Sequence, residues 1–245
     1  MQENKMKPIL FNTEMVRAIL DGRKTVTRRN PFQFQMKDGY NPEWSGYSLG
    51  EYYTGHIETG ACLYSRGSHG VWGVRSNVVK PKYNIGDVLY VRETWQHGYE
   101  LDGNDQIIEG TEKYYYAAGP EDVLPNFTYW LDEDTGEHKD NMPWKPSLHM
   151  PKEAARIFLR VKAVKVERLQ DIDKYWSNYD KEGMRNPETE NISIVMQERF
   201  ISIWNSTVKK TDIDRYGWQA NPWVWVIEFE RISKEETIQS PRGTA

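Results

Sequence analysis

Residues able to do chemistry gather in three places along the chain. Between Arg23 and Arg29 the sequence reads Arg-Lys-Thr-Val-Thr-Arg-Arg, so four cations (Arg23, Lys24, Arg28, Arg29) stand beside the hydroxyls of Thr25 and Thr27. A run of this kind makes a phosphate-binding edge, or a merely solvated one in which Thr27 serves as a β-former. The second place is Arg92-Glu93-Thr94-Trp95, at the end of an apolar run. Here Trp95, beside Arg92 and Glu93, can stack on a nucleobase, a contact contributing about 1–3 kcal/mol; the competing reading is an ordinary core tryptophan. The third is Trp144-Lys145-Pro146-Ser147-Leu148-His149-Met150-Pro151, with Lys152 and Arg156 just beyond. Trp144 and His149 flank Pro146 in a loop-like run, where binding residues concentrate. A lone histidine is more often structural, and Lys152 and Arg156 are either phosphate contacts or a solvated face. One cysteine, Cys62, and five scattered histidines offer no zinc spacing, so neither metal nor cofactor is expected, and Cys62 has no nearby base to activate it.

Elements must position these residues. In 8–29 the pattern predicts strand–helix–strand. Thr13 is a suitable N-cap, Met15, Val16, Ile19 and Leu20 recur at helical spacing, Gly22 stops the helix, and Lys24–Arg29 is extended. Gly86-Asp87 marks a turn before a buried strand over 88–93. A short strand is expected at Lys113–Ala117. From Arg156, Ile157, Leu159 and Val161 alternate with basic positions, and the strand runs on through Val164 and Val166 towards Leu169. Asp171 can cap a short helix ending near Gly183. Ile192, Val195, Met196, Arg199, Phe200, Ile203 and Trp204 make an amphipathic helix. A last strand covers Trp223–Ile232, and the tail after Lys234 frays.

Two stretches interrupt this framework. Residues 36–73 hold eight Gly and seven Tyr or Trp without a sustained period, which reads as an irregular insertion or meander outside the core. Residues 99–143 carry twelve acidic side chains against two lysines, leaving the other 200 residues with 30 basic and 24 acidic. The overall net charge of -4 therefore averages a basic body (+6) with an acidic insert (-10). A basic body suits a nucleic-acid partner; the insert is either a solvated loop or a surface for a protein partner. Strands separated by long excursions, with few helices, predict an α+β β-barrel with flanking helices. One domain over 1–235 with a flexible tail at 236–245 is expected.

The chain is 13% aromatic, with 10 Trp, yet has 28% charged residues and a mean hydropathy of -0.80. That excludes wholesale disorder, and no stretch approaches the about 20 apolar residues of a spanning helix. The N-terminal residues lack the apolar core of a secretory leader, and a single cysteine fits a reducing compartment; a cytoplasmic location is expected. Trp204, Trp223 and Trp225 sit at core periodicities. Trp44, Trp72, Trp95, Trp130 and Trp144 fall in insertions or at strand ends, where a base-stacking cleft becomes an option.

Three segments together resemble the ASCH family, small barrels of the PUA-like superfamily associated with RNA: Leu20–Arg29, which fits the family's Gly-x-Lys signature, Gly86–Val91, and Trp225–Phe229. They cover about a third of the chain in the family's order. The long form, with Arg92–Trp95 and Trp144–Pro151, is similar to ASCH-like proteins of bacteriophages and prophages, which would place it in a bacterial host cytoplasm. One branch, the bacterial amidohydrolases that remove the acetyl group of N4-acetylcytidine, has the signature Gly-Arg-Lys-Thr, a β-branched residue, then Thr, reproduced at Gly22–Thr27. The resemblance implies that Lys24 and Thr27 are catalytic. It also implies a catalytic glutamate, one residue before a methionine, in the short helix after the middle strand; the matching segment is Lys181-Glu182-Gly183-Met184, which gives Glu182. Glu167, Asp171 and Asp173 lie nearby, and the two insertions depart from that compact enzyme.

Amide hydrolysis needs a nucleophile, a base and an acid for the leaving amine. On this reading Thr27 supplies the hydroxyl. Lys24 is the base if burial or a neighbouring cation lowers its pKa. Glu182 protonates the amine or orients Lys24, and Arg28 or a backbone N–H holds the oxyanion. In a regular strand Lys24 and Thr27 face opposite ways, so they converge only if Lys24 lies in the turn after Gly22 or a bulge intervenes. The expected function is binding of RNA or a modified nucleoside in a basic, aromatic-lined cleft. The alternatives are deacylation of an N4-acetylcytidine-like amide, and a phage protein that engages a host protein through the acidic insert.

Overall fold

The structure, a computed structural model of the 245-residue chain, describes residues 6–35, 46–53, 57–66, 72–74, 76–99, 102–104, 106, 108–119, 130–131, 138–139, 144–186 and 193–237. It is a mixed α+β protein with a mostly antiparallel main sheet and several helices. The chain packs as two compact units, each built from non-adjacent segments: Met1–Gly22, Val88–Arg160 and Arg231–Ala245 in the first, Arg23–Asp87 and Val161–Glu230 in the second.

In the first unit, β1 (Lys7–Leu10) leads into α1 (Thr13–Leu20), which buries Val16, Ala18 and Ile19. The helix is capped by Asn12, not by Thr13: Asn12 is extended and its Oδ1 accepts the Met15 N–H at 2.9 Å. Asn is as good a cap as Thr or better, and it comes first in the chain. Gly22 ends the turn after α1 at φ 73, a conformation that favours glycine. After β2 (Val26–Phe32), β3 (Gly46–Tyr53), β4 (Ile57–Arg66) and β5 (Trp72–Val74), all in the second unit, the chain returns as β6 (Val88–Arg92), which pairs in parallel with β1. The hairpin β7 (Trp95–Gly98) with β8 (Lys113–Tyr116) follows, close to the expected strand. Two short strands, β9 (Trp130–Leu131) and β10 (His138–Lys139), also pair. The first three residues of β11 (Phe158–Arg168) pair antiparallel with β6, Leu159 opposite Leu89. Val88, Tyr90, Trp95, Met150, Ala154, Ala155, Phe158 and Ile232 form a buried cluster.

The second unit contains the rest of β11 and most of β12 (Trp223–Ile232), which pairs antiparallel with β2 through Ile227–Thr27 and Val226–Arg28. No pairing between the edge strands closes the main sheet into a barrel among the described residues. The 36–73 stretch departs from expectation. β3, β4 and β5 form a regular antiparallel sheet, and Ala61, Cys62 and Leu63 are buried, with Ala61 bridged to Val79. So part of this stretch is core; its glycines hide the alternation that would have marked strands. Trp44 lies outside the described residues. A 3-10 turn at 169–174 precedes α2 (Ser177–Lys181), and the Asp171 carboxylate accepts the Arg168 N–H at 3.2 Å. α3 (Ser193–Thr207) buries Met196, Phe200 and Trp204 but leaves Val195 about half exposed, a narrower stripe than the periodicity predicts. Ile192 is outside the described residues. The Phe200 ring meets Tyr179 at 5.7 Å and Trp218 at 6.0 Å, and a short α4 (Ile213–Tyr216) gives the Tyr216 carbonyl that accepts the Trp204 indole N–H. Trp225 is buried as expected, whereas Trp223 is only half-buried, against the Arg168 guanidinium. Residues 235–237 form a last 3-10 turn rather than a frayed tail, and 238–245 lie outside the described residues. No helix among the described residues is long and apolar enough to cross a membrane.

Candidate functional site

The second unit brings the Arg23–Arg29 run and the end of α2 together. Lys24 lies in the connector between α1 and β2, before the strand begins, in an antiparallel bridge to Glu182. Backbone bonds fix the connector on both sides: Thr25 N–H to the Lys181 carbonyl and Phe229 N–H to the Thr25 carbonyl, each 2.9 Å. The strand-alternation argument therefore does not reach Lys24, because it is not yet on the strand.

Four charged or hydroxylic side chains of this region are buried: Lys24, Thr27, Arg28 and Glu182. The Lys24 ammonium donates to the Val26 carbonyl (2.8 Å), the Glu182 carbonyl (2.8 Å) and Glu182 Oε2 (2.7 Å), so all three of its N–H groups have acceptors. Glu182 Oε1 accepts from Arg28 Nη1 at 2.9 Å. Arg28 also grips Glu167 on β11, with Nε at 2.9 Å from Oε1 and Nη2 closer still. Arg29 Nε donates to Thr27 Oγ1 at 3.2 Å. Arg23 points elsewhere, donating to the Arg185 carbonyl at 2.8 Å.

The electrostatics follow from burial. Desolvation lowers the Lys24 pKa below its usual 10.5; Glu182 opposes this, while Arg29 and Arg28 add to it. Burial would raise the Glu182 carboxyl, but Lys24 and Arg28 together outweigh it and hold the group below its ordinary value. Tyr83, buried beside Arg29, has its phenol pushed up by burial despite that cation. Arg28 is committed to two carboxylates, so it is a holder of Glu182 and not the oxyanion donor the sequence suggested. Because Glu182 is held ionised, it can orient Lys24 but is not a stored proton source.

Two participants escaped the sequence reading. Glu167 was only a neighbour of the Glu182 assignment, and it stands on the β11 row of Ala163 and Lys165, opposite the buried Val164 and Val166, so nothing local marks it. Tyr83 carried no signal beyond preceding a turn.

The remaining predicted residues, Arg92, Glu93, Trp95, Trp144, His149 and Lys152, belong to the first unit. Glu93 is 1% exposed, and both its oxygens are held by Arg156, at 2.9 Å each. Arg156 in turn lies 4.0 Å from the Tyr116 ring centroid, so it serves Glu93. Trp95 is buried between Tyr114 (5.8 Å) and Lys145 (5.3 Å) and presents no open face. Trp144 is half-buried; His149 and Lys152 are exposed. Among the described residues no group of three His, Cys, Asp or Glu side chains could hold a metal ion. Comparison with family models, curated proteins and solved structures gives no match to this chain.

Proposed function

We propose that the Lys24–Thr27–Glu182 cluster is the reacting centre of an ASCH-like amidohydrolase acting on an acylated nucleobase amide of the N4-acetylcytidine type. The observation that carries this reading is the buried, directly bonded pair of Lys24, on the connector into β2, and Glu182, at the end of α2, with Thr27 buried on β2 just beyond Lys24. A lysine shed of water titrates below its usual range, the requirement for a lysine base. Buried and internally paired cations suit small-molecule chemistry better than binding of a phosphate backbone, which needs exposed ones.

Lys24, once it has given up a proton, accepts the Thr27 hydroxyl proton as Oγ1 attacks the acyl carbon. Arg29, which donates to Oγ1, favours negative charge there. The C–N4 bond then breaks, and the Lys24 ammonium returns the proton to the leaving amine. Water, deprotonated by Lys24, attacks the acyl carbon, the acyl–Oγ1 bond breaks and the Lys24 ammonium returns the proton to Thr27 Oγ1, so one water is consumed and the amine and acetic acid leave. Glu182, fixed by Arg28, aims the Lys24 amine throughout. The test is incubation with N4-acetylcytidine and detection of cytidine and acetate; no release overturns the reading.

A second reading is binding of RNA or a modified nucleoside without turnover. The exposed cations Lys145 and Lys152 and the exposed His149 favour it. It predicts RNA affinity that falls steeply with salt, and a salt-insensitive or absent signal argues against it.

A further inference from the structure

The first unit buries two N–H donors that have no hydrogen-bond partner among the described residues: Arg92 Nε and Trp95 Nε1. Orphaned buried donors are uncommon and call for an explanation. Only Glu93 and Thr94 separate them around the bend from β6 into β7, and both meet the same cover. The segment 144–150 crosses Trp95 through paired backbone bonds, Trp95 N–H to the Lys145 carbonyl (3.2 Å) and Lys145 N–H to the Trp95 carbonyl (2.8 Å). Further along, the Leu148 carbonyl accepts from Arg92 Nη1 at 3.1 Å. The Arg92 guanidinium lies 5.7 Å from the Tyr90 ring centroid, and Tyr90 and Trp95 share one buried cluster with Met150.

The local charge is positive. Lys145 lies over the Trp95 ring, and Lys152 is exposed just beyond the segment. The adjacent acid, Glu93, is already matched by Arg156, and Glu153 is exposed. Leu148, at the crest of the segment, is 60% exposed. Met150 anchors the far end of the segment in the buried cluster, while Lys145 and Leu148 hold it to Trp95 and Arg92 through backbone groups.

We infer that Arg92 Nε and Trp95 Nε1 form the floor of an oxyanion site roofed by residues 144–150, which takes a phosphate or carboxylate group. A guanidinium N–H paired with an indole N–H suits two oxygens of one anion, and charge-assisted bonds are the stronger kind. The Leu148 carbonyl holds the guanidinium in place until the segment lifts. This site is independent of the reading given for Lys24 and Glu182.

The test is titration of the full-length protein with inorganic phosphate and, separately, with acetate at constant ionic strength. The readout is the Trp95 indole N–H resonance, assigned by its loss in Trp95→Phe or, should that variant not fold, by its proximity to the Tyr114 ring. A saturable downfield shift with phosphate assigns a phosphate ligand, and one with acetate alone assigns a carboxylate. In either case Arg92→Lys, which keeps the charge but removes Nε, weakens binding at least about tenfold. Absence of a shift, a shift that never saturates, or undiminished binding by Arg92→Lys means an adventitious ion only and overturns the inference.

Discussion

The Lys24 ammonium donates to Glu182 Oε2 at 2.7 Å, joining two buried side chains 158 residues apart in the chain. The bond closes a network in which Arg28 takes the other Glu182 oxygen and Glu167 takes Arg28. An ion network out of water is stable only when complete, because removing one member leaves its partner charged and unpaired.

Glu182→Ala therefore strands Lys24 and leaves Arg28 with Glu167 alone. The expected loss is about 3–5 kcal/mol, read as a lower denaturant midpoint with an unchanged slope. Glu182→Gln keeps the volume and one acceptor, so it should cost less than Glu182→Ala. Equal stability of wild type and Glu182→Ala would mean that the network contributes nothing.

The network also sets a pH dependence. The folded Glu182 carboxyl ionises below its ordinary 4.5, so its stabilisation is complete above that value and is lost as pH falls through the lower folded pKa. Lys24 acts in the same direction at the alkaline end. Its folded pKa lies below 10.5, so above the folded value the unfolded chain holds the extra proton, and stability rises with pH towards 10.5. Unfolding midpoints of Glu182→Gln measured across the acid limb should fall less steeply than those of wild type.

Asn12→Ala should cost about 1 kcal/mol, the usual loss of an N-cap, whereas Thr13→Ala should leave stability nearly unchanged. Thermal unfolding of the two variants side by side checks which residue caps α1; the reverse order contradicts the observed cap.

The core elements were legible because their periodicities are local. β12 and α3 announce themselves in WVWVIEFERI and in the Met196, Phe200, Trp204 spacing, and Gly22 and Gly86 mark their turns by type. What depends on distant partners was not legible. Nothing near Lys24 in the chain indicates that Glu182 completes it, and only a family resemblance put the two side by side. Nothing near Arg156 indicates that it serves Glu93. The exposure of Val195 and the burial of Ala61–Leu63 depend equally on what packs against them from afar. Trp95 illustrates the limit: residue type and position suit base stacking, yet Tyr114 and Lys145 enclose its ring.

Thr27→Ala removes the proposed nucleophile together with the oxygen that Arg29 binds. The expected stability cost is only about 1 kcal/mol, that of a single hydrogen bond, while turnover disappears. Thr27→Ser should retain measurable turnover. A Thr27→Ala protein that folds and still turns over would remove Thr27 from the chemistry.

The most direct measurement is the rate of cytidine release from N4-acetylcytidine by wild type and by folded Lys24→Ala, followed by chromatography. The account predicts release by wild type and a loss of about 10²–10⁴-fold in Lys24→Ala, the usual contribution of a positioned base. No release by wild type, or equal rates for the two proteins, would contradict it.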